Sequence, residues 1–176
     1  QGLDVFILSR KKSDNSQIIQ WSVKDGWNDT EMKFDAVVNL AGAGIVDKSW
    51  SQAYKRSIVE SRVATTALLD QHMIQQGWAP KVFLNASAVG IYGDHPTKIF
   101  EETDKAIKSD FMVITCEAWE EAVHEMQTIA DHHYIVRIGV VLSKKGGAFP
   151  RLSMGRPVGI VPHLGDGHQY MSWIHI

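Results

Sequence analysis

Ser87 stands where one apolar run, KVFLNASAVGIYGD at 81–94, gives way to small residues. Ala41 and Gly42 hold the equivalent place in a second run, FDAVVNLAGAG at 34–44. Open α/β sheets bind ligands just outside the carboxyl ends of their strands. A serine hydroxyl at such an end can donate a hydrogen bond to a carbonyl or hydroxyl and polarise it, which makes Ser87 the candidate catalytic residue. Ala41 and Gly42 carry almost no side chain, so a sugar ring can lie against their backbone; close packing of strand on helix would use the same small residues. The turn Gly90-Ile91-Tyr92-Gly93-Asp94 carries Tyr92 across the mouth of the crevice.

A third group follows the first apolar run. Ser9-Arg10-Lys11-Lys12 leaves the segment Leu3 to Leu8. In dinucleotide folds an acidic residue here bonds the adenosine ribose, whereas an arginine accommodates a 2′-phosphate. Ser9 and Arg10 therefore favour NADP over NAD, with a solvated basic loop as the alternative use. The single cysteine, Cys116, lies on an apolar helix face and reads as buried and inert. His132-His133 has no cysteine or carboxylate at ligand spacing, so no metal is assigned.

Strands and helices must position these residues. Ala36 to Ala41 and Val82 to Ala86 read as strands of the kind buried on both faces, and Tyr134 to Leu142 reads as a final strong strand. Ser51 to Gln76 reads as a helix with Tyr54, Ile58, Ala64, Ala67, Leu68 and Ile74 on its apolar positions and Gly77 as its stop. Phe111 to Ala130 reads as a second helix, with Cys116, Trp119, Val123 and Met126 on one face. A weaker strand runs from Gln17 to Val23. Strand, helix, strand, helix, strand is the signature of parallel crossovers. Trp50, Trp119 and Trp173 read as core. Residues 146–167 mix Gly and Pro as loops do, with a short helix near Phe149 to Met154, and Tyr170 to Ile176 reads as a last strand.

The 176 residues suffice for one domain with a sizeable core, and 44% hydrophobic with 22% charged residues is ordinary for a soluble protein. A net charge of −2 leaves no electrostatic footprint for nucleic acid or an anionic membrane. No run approaches the roughly 20 apolar residues that span a bilayer. The opening QGLDVFILSRKK is a strand with a basic exit rather than a secretory signal, and one cysteine suits a reducing, cytoplasmic setting. A doubly wound nucleotide domain begins with a strand, a glycine-rich turn and a helix; this chain opens on what would be the second strand. Gly42-Ala43-Gly44 has Asp47 where a third glycine would stand, and reads better as a tight turn.

Four separated segments, VVNLAG, FLNASAVGIYGD, RIGVVLS with Gly146-Gly147, and HLGDGHQYMSWIHI, resemble the extended and atypical short-chain dehydrogenase/reductases. The branch they most resemble is the epimerase/dehydratase-like "epimerase family protein". The resemblance implies a Rossmann-type doubly wound parallel sheet over residues 1–176, lacking its first β-α unit and its carboxy-terminal substrate lobe, with 146–176 leading into a substrate region. It implies that Arg10 contacts a 2′-phosphate, Ala41 and Gly42 the cofactor's ribose region, and Gly139 and Val140 the nicotinamide surroundings. Tyr92, His168 and Gln169 fall on the substrate side, with plain loop surface as the alternative for His168.

One departure bears on catalysis. Redox members of this family use Tyr-x-x-x-Lys, in which the ammonium makes the phenol a better acid. Four residues after Tyr54, Tyr92, Tyr134 and Tyr170 stand Ile58, Pro96, Ile138 and Ile174; the two expected slots hold Met112 and Cys116 in the preferred register, or Phe111 and Thr115 or Val113 and Glu117 on a shift of one. The expectation is an NADP-dependent oxidoreductase or epimerase-like enzyme acting on a small carbonyl- or hydroxyl-bearing metabolite, with a nucleotide sugar as one candidate. The alternative is a nucleotide-binding or regulatory protein of the same fold that does not catalyse.

Overall fold

The computed structural model describes residues 2–22, 24, 26–27, 32–107, 109–126, 130–155, 159, 166–168 and 170–176. Along the chain run β1 (Ile7–Ser9), β2 (Ile18–Ser22), β3 (Gly26–Trp27), β4 (Ala36–Asn39), α1 (Gln52–Gln75), β5 (Val82–Ala88), a 3-10 turn (Val89–Tyr92), α2 (Phe111–His124), β6 (His132–Ile138), β7 (Val140–Ser143), β8 (Gly146–Gly147), α3 (Ala148–Leu152) and β9 (Trp173–His175). The expected crossovers are present. β5 lies between β4 and β6 and is parallel to both, with Asn39 opposite Asn85 and Ser87 opposite Arg137. β1 and β2 form a second parallel pair, with β3 antiparallel to β2. This is a Rossmann-like α/β arrangement.

The run 134–142 is two strands rather than one. β6 stays with β5, while β7 turns away to pair with β8 and β9. The break falls at Gly139, where a Cβ would lie 2.8 Å from the Ser172 carbonyl oxygen. Only a bare backbone lets the two segments approach that closely.

Helix ends follow their capping residues. Asp110 accepts from the Met112 and Val113 amides at 2.8 and 2.9 Å and starts α2; Ser51 accepts from the Tyr54 amide and starts α1. Gly77, at φ 59°, ends α1 in the left-handed conformation. Both helices serve the same side of the central sheet: Asn39 reaches Thr66 of α1, and Ser87 reaches Glu120 of α2. Leu69, Met73, Trp78, Phe83 and Met126 form the apolar core there, with Val37 against it. On the other side Val38 and Tyr134 are more than half exposed.

The buried stripe of α1 differs from the expected one. Ile58, Arg62, Thr65, Thr66, Leu69, His72 and Met73 face inward, whereas Ala67 and Ile74 face solvent. Arg62, Thr65 and Thr66 stand on the packed face because they bond to the first strand end and to their own helix. Trp119 is core as expected, but Trp50 and Trp173 are exposed. Among the described residues no helix is long and apolar enough to cross a membrane.

Candidate cofactor and substrate site

Two neighbouring strand ends make the rim. At the first, α1 holds the loop leaving β4. Ser61 Oγ accepts from the Ala43 amide at 2.8 Å, Arg62 Nη1 donates to the Ala43 carbonyl at 3.2 Å, and the Tyr54 hydroxyl donates to the Gly44 carbonyl. The Ala41 amide donates to Asn39 Oδ1. Gly42 is bare for a specific reason. A Cβ there would lie 2.9 Å from the Arg62 guanidinium carbon, so the missing side chain makes room for Arg62. That guanidinium also stacks 4.9 Å from the Trp119 ring centre.

At the second rim, beyond β5, Ser87 stands at the expected strand end but faces the helices. It is 3% exposed, and its hydroxyl donates to Glu120 Oε1 at 2.6 Å. Ser87 is therefore turned toward α2 rather than toward a substrate as expected, because a buried carboxylate there accepts the hydrogen bond that a ligand would have received. Glu120 in turn holds Arg137 in a two-pronged pair, Nε to Oε1 at 2.9 Å and Nη2 to Oε2 at 2.8 Å. Burial opposes ionisation of Glu120, yet the hydrogen bonds from Arg137 and Ser87 outweigh it and hold the carboxyl below the usual carboxylate range. Arg137 is shifted upward, chiefly by its bond to Glu120.

Tyr92 is likewise tied down rather than free. Its hydroxyl accepts from Arg137 Nη1 at 2.9 Å, and its ring packs on Phe100 at 5.3 Å. The same Nη1 donates to the Glu102 carbonyl at 2.7 Å, which ties the following loop to β6. Tyr92 thus has a cationic neighbour that no i+4 spacing revealed.

The Met112 and Cys116 slots lie against this rim, since a Cβ on Gly90 would meet Met112 Cβ and Cys116 Sγ. Cys116 is 2% exposed; burial first, and then the charge of Glu120, push its thiol up to about 11. It is a buried thiol, not an activated nucleophile.

The other expected residues are more dispersed. Ser9 closes β1 and accepts from the Lys11 amide, and Arg10 beside it is exposed. Gly139 and Val140 are occupied at the junction with β9, where the Val140 amide donates to the Ser172 carbonyl at 2.8 Å. His168 lies in an exposed turn whose amide bonds to Asp166, and Gln169 falls outside the described residues. A shallow hollow of about 210 Å³ lined by Phe34, Asp35, Trp78 and Lys81 lies at the opposite, amino-terminal end of β4 and β5.

Arg62, Glu120 and Arg137 were missed from sequence. Each shows a charge inside an apolar pattern: Arg62 one turn after Ile58, Glu120 one turn after Cys116, and Arg137 in the middle of YIVRIGVV.

Parallel crossovers with small residues at adjacent strand ends define a Rossmann-like nucleotide-binding class. The chain belongs to the NAD dependent epimerase/dehydratase family, whose model matches residues 1–114. It is 36% identical to an epimerase family protein of Mycobacterium bovis over 174 residues, which are 98% of this chain and 57% of that protein. It is 33% identical to one of Staphylococcus saprophyticus over 176 residues, 98% of this chain and 58% of that protein. The chain thus spans a little over half the length of these relatives. Among solved structures, human epimerase family protein SDR39U1 (isoform 2) with NADPH superposes with a TM-score of 0.83 at 29% identity, covering 99% of this chain and 58% of that one. A nucleoside-diphosphate sugar epimerase of Corynebacterium glutamicum gives a TM-score of 0.70 at 28% identity, covering 97% of this chain and 35% of that one.

Proposed function

We propose that this chain is the dinucleotide-binding part of an NADP-dependent oxidoreductase or epimerase-like enzyme of the cytoplasm, acting on a small carbonyl- or hydroxyl-bearing metabolite. The observation that carries the cofactor choice is Arg10. It is exposed, directly follows β1, and makes no ion pair among the described residues, so its planar fork is open to a 2′-phosphate. The NADPH with the human relative supports the same choice. When bound, a nicotinamide cofactor supplies hydride transfer.

This chain's residues would do the holding. Ser9 and Arg10 would take the adenosine end and the loop backbone at Ala41 and Gly42, beside Arg62, the ribose region, while Gly139 and Val140, occupied at the junction with β9, would only shape the strand end next to it. Tyr92 and His168 are the described residues that would serve the substrate side. Ser87 enters as a positioning residue, through Glu120 and Arg137, rather than as a donor to substrate. A nucleotide sugar is the substrate class favoured by the Corynebacterium relative's name. A net charge of −2 supports a small molecule over nucleic acid or an anionic membrane as partner.

Fluorescence titration of the intact protein with NADPH and NADH tests the reading. NADPH should bind more tightly, and Arg10→Ala should erase most of that preference. No binding at millimolar NADPH overturns the proposal, and equal losses for both cofactors remove Arg10 from it. Binding without turnover on any carbonyl substrate would instead describe a nucleotide-binding protein.

A further inference from the structure

Arg62 is 8% exposed and is a charged group that the fold does not neutralise. Its nearest acidic influences are Cys116 and Tyr54, and among the described residues it forms no salt bridge. Nη1 donates to two carbonyls, those of Ile58 at 2.9 Å and Ala43 at 3.2 Å. Nε and Nη2 make no hydrogen bond to any described residue. Nη2 would lie 3.1 Å from a Cβ on Gly42, at the loop that leaves β4. Beneath it the indole Nε1 of Trp119 is also buried and has no acceptor. Burial is the largest influence on Arg62 and pulls its proton affinity down, so the site is costly for a lone cation. Buried charges are ordinarily paired or bound to a ligand of opposite sign. Among the described residues Arg62 has donors to spare and no ion-pair partner, at a strand end where ligands bind.

We propose that Arg62 is the anion-binding residue of this crevice, its unused Nε and Nη2 donors taking an oxygen of a phosphate or carboxylate on the bound molecule. Lysine at this place would lack the fork, and a fork is what two adjacent anionic oxygens match. Arg62 is also a cation that acts on the neighbouring Cys116 thiol. The anionic group is either a phosphoryl group of the dinucleotide or an acidic group of the substrate. The inference rests on the proposed dinucleotide site only for the first of these sources.

The test compares wild type with Arg62→Met, which keeps the length of the side chain and removes its charge and donors. In the intact protein, NADPH affinity is read by fluorescence, and the thermal shift produced by inorganic phosphate alone is read without nucleotide. If the dinucleotide supplies the anion, the variant loses about tenfold or more in NADPH affinity and its phosphate shift disappears. If the substrate supplies it, NADPH affinity is kept and the phosphate shift alone is lost. A wild type that ignores NADPH but is stabilised by phosphate through Arg62 refutes the dinucleotide reading and leaves this one standing. Equal NADPH affinity and equal phosphate response in both proteins overturn it. Arg62→Lys covers the case of a Met variant that does not fold: it should keep part of the phosphate response, and a full response would remove the fork from the argument.

Discussion

Two arginines on the helix side of one sheet have opposite surroundings. Arg137 stacks on Tyr92 at 5.1 Å and Arg62 on Trp119 at 4.9 Å, so both use an aromatic face. Arg137 then gives Nε and Nη2 to Glu120 and Nη1 to Tyr92 and Glu102. Among the described residues Arg62 gives only Nη1, and only to carbonyls. The more deeply buried cation is the less compensated one. A fold gains nothing from that arrangement, because an unpaired charge loses its hydration without a counterion. The contrast separates a guanidinium that holds strand, helix and loop together from one kept ready for something outside the chain.

The largest effect should come from breaking the compensated pair. Glu120→Gln leaves Arg137 without its carboxylate, and chemical denaturation should show a loss of about 3 kcal/mol. A loss under about 1 kcal/mol would mean that solvent replaces the carboxylate and the contrast is weaker than drawn. Next, Gly42→Ala drives a methyl group against the far end of the Arg62 side chain, which must shift, at a cost of about 1 kcal/mol. Adding Arg62→Ala should recover most of it, and equal stability of the single and double variants would show that something else fills the space.

Ser87→Ala should cost about 1–2 kcal/mol through the lost bond to Glu120. Because the Glu120 carboxyl is depressed in the folded protein, its contribution is present above the usual carboxylate value of 4.5 and is lost as pH falls below it. Without the serine the carboxyl is less depressed, so acid unfolding should begin at higher pH. Circular dichroism against pH reads this, and an unchanged acid limb would detach Ser87 from the pair. Turnover should fall only as far as stability does; a hundredfold loss in a folded variant would return the hydroxyl to the chemistry.

The smallest change in stability belongs to Arg62→Met, within about 1 kcal/mol of wild type, since removing a desolvated cation offsets the lost carbonyl bonds. A large loss would make Arg62 a second structural clamp like Arg137. Cys116 lies between the two groups, and its buried thiol should resist iodoacetamide at mildly alkaline pH until the protein unfolds. Prompt labelling would show that this part of the rim opens.

The central fold was legible because β4, β5 and β6 carry largely aliphatic runs separated by helix-length segments with Ser51, Gly77 and Asp110 as punctuation. The strand change at Gly139 was not, since RIGVVLS is apolar throughout and the cause, the Ser172 carbonyl, lies over 30 residues away. The site was legible by position and not by direction. Small residues mark a strand end, but they do not say whether the space they leave admits a ligand or, as at Gly42, an arginine from the next helix. Periodicity on α1 favoured its alanines and Ile74, and so passed over the polar residues that bind the strand ends.

Asn39 Nδ2 bridges Asn85 Oδ1 at 2.6 Å and Thr66 Oγ1 at 3.1 Å beneath the helices. Side chains alternate along a strand, so sliding β4 by a single residue would swing Asn39 to the open face and bring aliphatic Val38 against those two acceptors. Without Asn39 and Asn85, the aliphatic residues of AVVN and VFLNA could align in several ways at similar cost. This amide ladder therefore acts as an alignment key, penalising every mispaired sheet by stranded polar atoms before any ligand crevice can form.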